Sequence, residues 1–502
     1  MKILFATPEC APYVKTGGLG DVSGALPATL AAMGHDVRVL LPAYRNMKVS
    51  GELGDTVELP PYGPFPAAQL LPVHTENGVT MLLLACPALY QRSGGPYVDP
   101  QGRDYHDNVL RFGFLSRIAS LLGTVHSPCK DWQADVVHVN DWPTALAPMY
   151  LAEARALAPH EHVARSVLTI HNIAFQGVFP MHTADLLGVP AIWRGMDGVE
   201  FWGGLSMLKA GVQFADAVTT VSPTYAREIQ TEAFGVGMDG VLRAQRGKLS
   251  GILNGIDTNV WNPEKDKLIP HNYSAAYPGA KAQDKAELQQ RCGLAQNPQA
   301  MLFGVVSRLT PQKGIDLVLG ALDAILAADG QLVVLGQGDA GLQNALREAA
   351  ERFPRQVSVT VGFNESQAHW IEAGADCFLM PSRFEPCGLN QMYSQAYGTP
   401  PLVGNVGGLA DSVTDATRDP GHGTGFVMRA GTPEGFRDAL TRAMKAYREP
   451  AFWRRIMANG MARHFGWEES AAQYVEVYER VLGRTPTSSA SSQASGTRTL
   501  LP

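Results

Sequence analysis

The six cysteines of the chain, Cys10, Cys86, Cys129, Cys292, Cys377 and Cys387, include no Cys-x-x-Cys pair. That absence speaks against a zinc ribbon and against the disulfide framework of a small secreted domain, and makes reduced thiols in a cytoplasmic protein the expectation. No stretch approaches the ~20 uninterrupted apolar residues of a membrane span. Even Leu110 to Val125 carries Arg111 and Arg117. The apolar start Ile3-Leu4-Phe5-Ala6 meets Pro8 and Glu9 before a signal-peptide core could form, and reads as a buried strand. An excess of one charge is missing too: a net charge of -6 gives no global pull toward nucleic acid or anionic lipid. No two aspartates are separated by a single residue, so the Asp-x-Asp metal motif of many sugar transferases is lacking. Neither a metal site nor a cofactor is expected.

What is present is an alternation of strands and helices in a chain of 502 residues, 45% of them hydrophobic. Short β-rich runs at Lys2 to Ala6, Val37 to Leu41, Thr80 to Ala85, Val136 to Val139, Ser166 to Ile170 and Ala217 to Val221 are separated by helical patterns. The series restarts at Met301 to Val306, Leu332 to Leu335, Val357 to Val361, Cys377 to Met380 and Pro401 to Val403. Such alternation implies α/β architecture with two doubly wound parallel sheets. Between the series lies a turn-rich stretch, Asn254 to Ala280, which places a hinge near 255 to 262. The expected division is 1–255, 256–465, a C-terminal helix within 466–483, and a tail at 484–502 too poor in apolar residues to fold. The helix either stands as an appendage or packs back on the first domain.

Ligands of open parallel sheets sit beyond the carboxyl ends of the strands, so the loops there carry the candidates. Lys15-Thr16-Gly17-Gly18-Leu19-Gly20-Asp21 opens a helix, where a glycine-rich turn and a cation suit an anionic ligand as well as they suit a plain βα turn. Arg308 and Lys313, in Ser307-Arg308-Leu309-Thr310-Pro311-Gln312-Lys313-Gly314, occupy the corresponding loop of the second half and suit a diphosphate. Asn140-Asp141 and His171-Asn172 place polar groups where two neighbouring strands run out. Glu385, in Ser382-Arg383-Phe384-Glu385-Pro386-Cys387-Gly388, is either a helix cap or a ligand contact, and Gly407-Gly408 opens another helix. Gly336-Gln337-Gly338-Asp339-Ala340-Gly341 matches a dinucleotide fingerprint, yet it stands in the second βα unit of its sheet rather than the first, which argues against an NAD enzyme.

With these motifs in hand, the chain resembles the bacterial glycogen synthases and plant starch synthases, retaining glycosyltransferase family 5, to about residue 482. Lys15-Thr16-Gly17-Gly18-Leu19 is similar to the family's sugar-nucleotide loop, Ser382 to Leu389 to its second hallmark, and Ser307 to Gly314 to its diphosphate loop. The resemblance implies a GT-B architecture, two Rossmann-like domains facing each other across a cleft. It also implies ADP-glucose as donor and an α-1,4-glucan such as glycogen as acceptor. By the same resemblance His171, Arg308, Lys313 and Glu385 are catalytic. Lys15, Gly17, Gly18, Asp21, Asp141, Asn254, Cys387, Gly388, Gly407 and Gly408 bind substrate. Asn140 stands where His often precedes Asp-Trp, and Asn390 where Thr is common; neither is expected to touch a residue of the mechanism. The alternatives are another GT-B nucleotide-sugar transferase and a glucan-binding protein without catalysis.

Overall fold

The structure, a computed structural model, describes residues 1–484, so the expected tail lies almost wholly outside the described residues. Strand Lys2–Ala6 sits at the centre of the first sheet, with Ile3, Leu4, Phe5 and Ala6 completely buried. A run without polar alternation is what a parallel strand covered on both faces requires. On one side lie Asp36–Pro42 and Thr80–Ala85; on the other lie Val136–Asn140, Arg165–Ile170, Ala217–Thr220 and Leu249–Gly251, all parallel. The second sheet repeats the plan around Leu302–Val306, flanked by Gln331–Gly336 and Val357–Val361 on one side. Cys377–Met380, Pro401–Val403 and Phe426–Val427 lie on the other. Counting the parallel strands from each first strand, the first sheet has the order 3-2-1-4-5-6-7 and the second 3-2-1-4-5-6, each with its switch point between strands 1 and 4.

The first sheet is not parallel throughout. Ala68–His74 runs antiparallel to Thr80–Ala85, and Glu52–Leu53 and Val57–Leu59 run antiparallel to it in turn. The connection Thr75–Val79 is too short for a crossover, which leaves a hairpin as its only option. A separate antiparallel sheet joins Val178–Pro180, Gly204–Ser206 and Glu200–Phe201. In the fingerprint-like segment, a Cβ at Gly336 would collide with the Ser307 carbonyl and one at Gly338 with the Leu309 backbone. These glycines admit a neighbouring loop, and Asp339 caps the following helix through Leu342 N at 3.0 Å.

After the second sheet the chain returns to the first. Helix Trp467–Val481 places Trp467, Ala471, Tyr474, Val477 and Tyr478 on one face, by helical spacing, and all join the core around Ile3 and Phe5. Tyr478 OH lies 2.7 Å from His138 Nδ1, and Ser470 Oγ donates to Leu253 O at 2.5 Å.

Candidate active site

Strands 4 and 5 of the first sheet end side by side, and their last residues form one polar knot. Asn140 closes Val136–Asn140, and Asp141 follows with φ 53° and ψ -174°, a backbone region normally left to glycine. The Asp141 carboxylate accepts the amides of His171 at 2.7 Å and Asn172 at 3.4 Å. Burial pushes its carboxyl up to about 7 against the pull of those amides. His171 begins the loop after Arg165–Ile170 and is 9% exposed. Burial lowers its imidazole to about 3, so the ring is neutral at physiological pH. Its Nε2 is 2.9 Å from Asn140 Oδ1. This corrects the expectation that Asn140 is a silent departure, because it contacts His171 directly. Asn390 donates to Val306 O at 3.3 Å, at the mouth of the Arg308 loop.

In the glycine loop, Glu9 Oε2 accepts from Thr16 N at 2.5 Å and Gly17 N at 3.2 Å. Glu9 Oε1 accepts from Thr16 Oγ1 and from Tyr97 OH, each at 2.6 Å. Amides that the sequence offered to an external anion are thus engaged by a carboxylate of the same chain. Gly18 opens helix Gly18–Ala32, and the exposed Lys15 pairs with Asp21 at 2.7 Å. Burial raises the Asp21 carboxyl, with Lys15 opposing.

At the switch point of the second sheet, Lys313 Nζ forms an ion pair with Glu385 Oε2, which also accepts from Ser382 Oγ at 3.0 Å. Arg308 is exposed and, among the described residues, reaches only Gln312 Oε1, at 3.5 Å. Gly388 O accepts from Gln391 Nε2 at 3.0 Å at the entry to helix Asn390–Ala396. Gly407 has φ 43°, and a Cβ there would strike the Glu385 carbonyl; Gly408 N donates to Pro386 O at 3.0 Å. The glycine pair therefore lies directly beneath the Glu385–Cys387 segment.

The two halves meet through Tyr225, which the motifs did not mark, and through the Ser382 to Leu389 segment, which they did. Tyr225 OH accepts from Ile173 N at 3.0 Å while its ring meets Phe384 edge-on at 5.6 Å, so one buried phenol links the His171 loop to the Glu385 loop. Cys387, Met392 and Tyr393 join the first-domain core, and Asn254 meets the Cys387 thiol through its backbone while its own Oδ1 is buried without a partner among the described residues. The signal for Tyr225 was a Ser222-Pro223 helix start at a strand end; for Glu9 it was only proximity to the glycine loop.

Residues 2–244 match the family described as starch synthase catalytic domain, and residues 287–457 match glycosyl transferases group 1. A glycogen synthase of Paracidovorax citrulli is 58% identical over 97% of this chain and 96% of its own. That of Aromatoleum aromaticum is 50% identical over 95% and 96%. The catalytic domain of starch synthase IV from Arabidopsis thaliana, bound to ADP and acarbose, superimposes with a TM-score of 0.83 at 31% identity, covering 96% of this chain and 99% of that one. A sucrose-phosphate synthase of Thermosynechococcus elongatus, at 17% identity and a TM-score of 0.57, shares the fold.

Proposed function

The chain belongs to the bacterial glycogen synthase family, two-domain GT-B glycosyltransferases that move glucose from a nucleotide sugar to a glucan, and from that premise we propose that its donor is ADP-glucose. In this reading glucose passes with retention of configuration to the non-reducing end of an α-1,4-glucan, in the cytoplasm. Residues 1–255 form the acceptor side and 256–465 the donor side. Among the described residues no helix is long and apolar enough to cross a membrane.

The observation that carries the reading is the Lys313–Glu385 pair at the second switch point, joined through Phe384 and Tyr225 to the His171 loop. Lys313 and Arg308 neutralise the departing diphosphate, a charge that grows in the transition state. Glu385, held by Lys313 and Ser382, orients sugar hydroxyls instead of attacking carbon. The acceptor hydroxyl approaches on the face the phosphate leaves, and its proton goes to the phosphate. Neutral His171 accepts a hydrogen bond from a hydroxyl of the transferred sugar. The ADP carried by the starch synthase IV neighbour supports the choice of base. Transfer of labelled glucose into glycogen from ADP-glucose and from UDP-glucose tests it. A higher kcat/KM for ADP-glucose is expected, and a preference for UDP-glucose would overturn the donor assignment.

A further inference from the structure

The Asn140–His171 contact has a direction that can be derived. Asn140 is fully buried, and its backbone is tied on both sides by Thr144, whose Oγ1 accepts from Asn140 N at 2.7 Å and donates to Asn140 O at 2.9 Å. The carboxamide lies between Ala6 O at 3.0 Å and His171 Nε2 at 2.9 Å. A backbone carbonyl only accepts, so the amide nitrogen must face Ala6. The amide oxygen then faces His171, and an oxygen only accepts. The bridging imidazole nitrogen must therefore carry the proton. The backbone of His171 is anchored beside this bond, because Asp141 holds its amide at 2.7 Å. Nδ1 makes no bond among the described residues, and the residue keeps 9% of its surface exposed.

We propose that Asn140 is a positioning residue that relays the polarity of the Ala6 carbonyl to His171, fixing the Nε2–H tautomer and leaving Nδ1 to accept a hydrogen bond from a hydroxyl of the bound sugar. The tautomer follows from the protein alone; the sugar contact rests on the function proposed above. Burial keeps the ring neutral, so it has one acceptor to give, and the relay decides which nitrogen that is.

The test uses the full chain labelled with 15N-histidine, the His171 signal being assigned by its loss in His171→Gln. Wild type is expected to show a neutral ring protonated at Nε2. Asn140→Asp, of nearly the same shape, cannot donate to Ala6 O and favours a doubly protonated ring. Its kcat at saturating donor should fall by on the order of 10- to 100-fold, the range seen when outer partners of a functional histidine are lost. Asn140→His, which again offers one donor and one acceptor, should keep the Nε2–H signal and most of kcat, where a residue needed only to fill space would not favour this variant over Asn140→Asp. A wild-type ring protonated at Nδ1 overturns the proposal without reference to any variant, as does Asn140→Asp with wild-type kcat. If Asn140→Asp does not fold, the wild-type signal and the Asn140→His kinetics still decide. A wild-type chain that transfers no glucose would count against the function, and the ring signal would still decide the tautomer.

Discussion

Asp141 is a carboxylate held where water is scarce, on a backbone torsion few residues tolerate. Its raised value, about 7 against 3.8 for a free aspartate, sets a sign. Below pH 3.8 folded and unfolded chains are both protonated and its contribution to stability is fully present. It is lost as the pH climbs through 7, because the unfolded chain ionises first. Asp141→Asn cannot ionise and still offers an oxygen to His171 N. The melting temperature of the variant relative to wild type should therefore rise by on the order of several °C between pH 5 and pH 8; a difference independent of pH would show that Asp141 is ionised in the fold throughout. At Lys313 the charge has two tasks. Lys313→Ala should lower kcat by about 10² to 10³, as when one preorganised charge facing a developing anion is removed. It should also lower the melting temperature, by leaving Glu385 buried beside Ser382 alone. Adding Glu385→Gln should restore stability and leave kcat low, and melting curves with kcat for the single and double variants separate the two effects. His171, Lys313 and Glu385 stood out in the sequence because motif spacing marks them. Which of these groups pair was not legible, since Asn140 lies 31 positions from His171 and Glu385 lies 72 from Lys313, separations that leave no local trace.

At the scale of elements, helices Pro223–Glu228 and Gly407–Ser412 cap each other across the domain boundary. Asp411 accepts from Ser222 Oγ at 2.5 Å, Thr224 N at 2.9 Å and Thr224 Oγ1 at 2.6 Å, at the start of the first helix. Glu228, at the end of that helix, receives Gly407 N on both oxygens at 3.1 Å, at the start of the second. Carboxylates at helix N-termini are favoured by the exposed amides there. Here each carboxylate comes from the opposite domain, so both caps depend on the contact between the domains. Replacing Asp411 by Asn and Glu228 by Gln together should weaken the clasp with little change of shape. The expected outcome is a larger radius of gyration for the free protein by small-angle scattering, with kcat/KM for donor reduced several-fold; an unchanged radius would show that other contacts hold the halves together. The longer parallel strands were legible because an apolar run between two helical patterns has few other meanings. Phe426–Val427, Glu52–Leu53 and Glu200–Phe201 were not, because two residues carry no period.

Across the whole molecule, the path of the chain makes the first domain depend on a helix that follows the second domain. The chain leaves the first domain at Ile256, whose N donates to Phe465 O at 2.7 Å, so the outgoing and returning segments cross side by side. The packing there admits no side chain at Gly255, which lies against Gly466 and Trp467. Helix Trp467–Val481 then supplies Trp467, Tyr474 and Tyr478 to a core shared with Ile3, Phe5 and Val136, and gives the buried His138 its Tyr478 partner. Removing one large buried aromatic typically costs about 3–5 kcal/mol, and a domain is stable by only about 5–15. A chain ending at His464 should therefore lose the first domain. The second domain, whose core around Phe303 and Phe426 takes nothing from this helix, should still fold. Calorimetry should show a single remaining transition with roughly half the unfolding enthalpy of the full chain. A chain ending at Arg484 serves as the control and should melt like wild type, because the residues beyond carry no apolar periodicity. Tyr478→Phe gives the finer measure: it keeps the ring and removes only the hydroxyl facing His138 Nδ1, and should cost about 1–3 kcal/mol for a buried polar group left unpaired. Wild-type melting in the chain ending at His464 would mean that the first domain closes its core without the returning helix, and the dependence inferred from Trp467, Tyr474 and Tyr478 would be wrong.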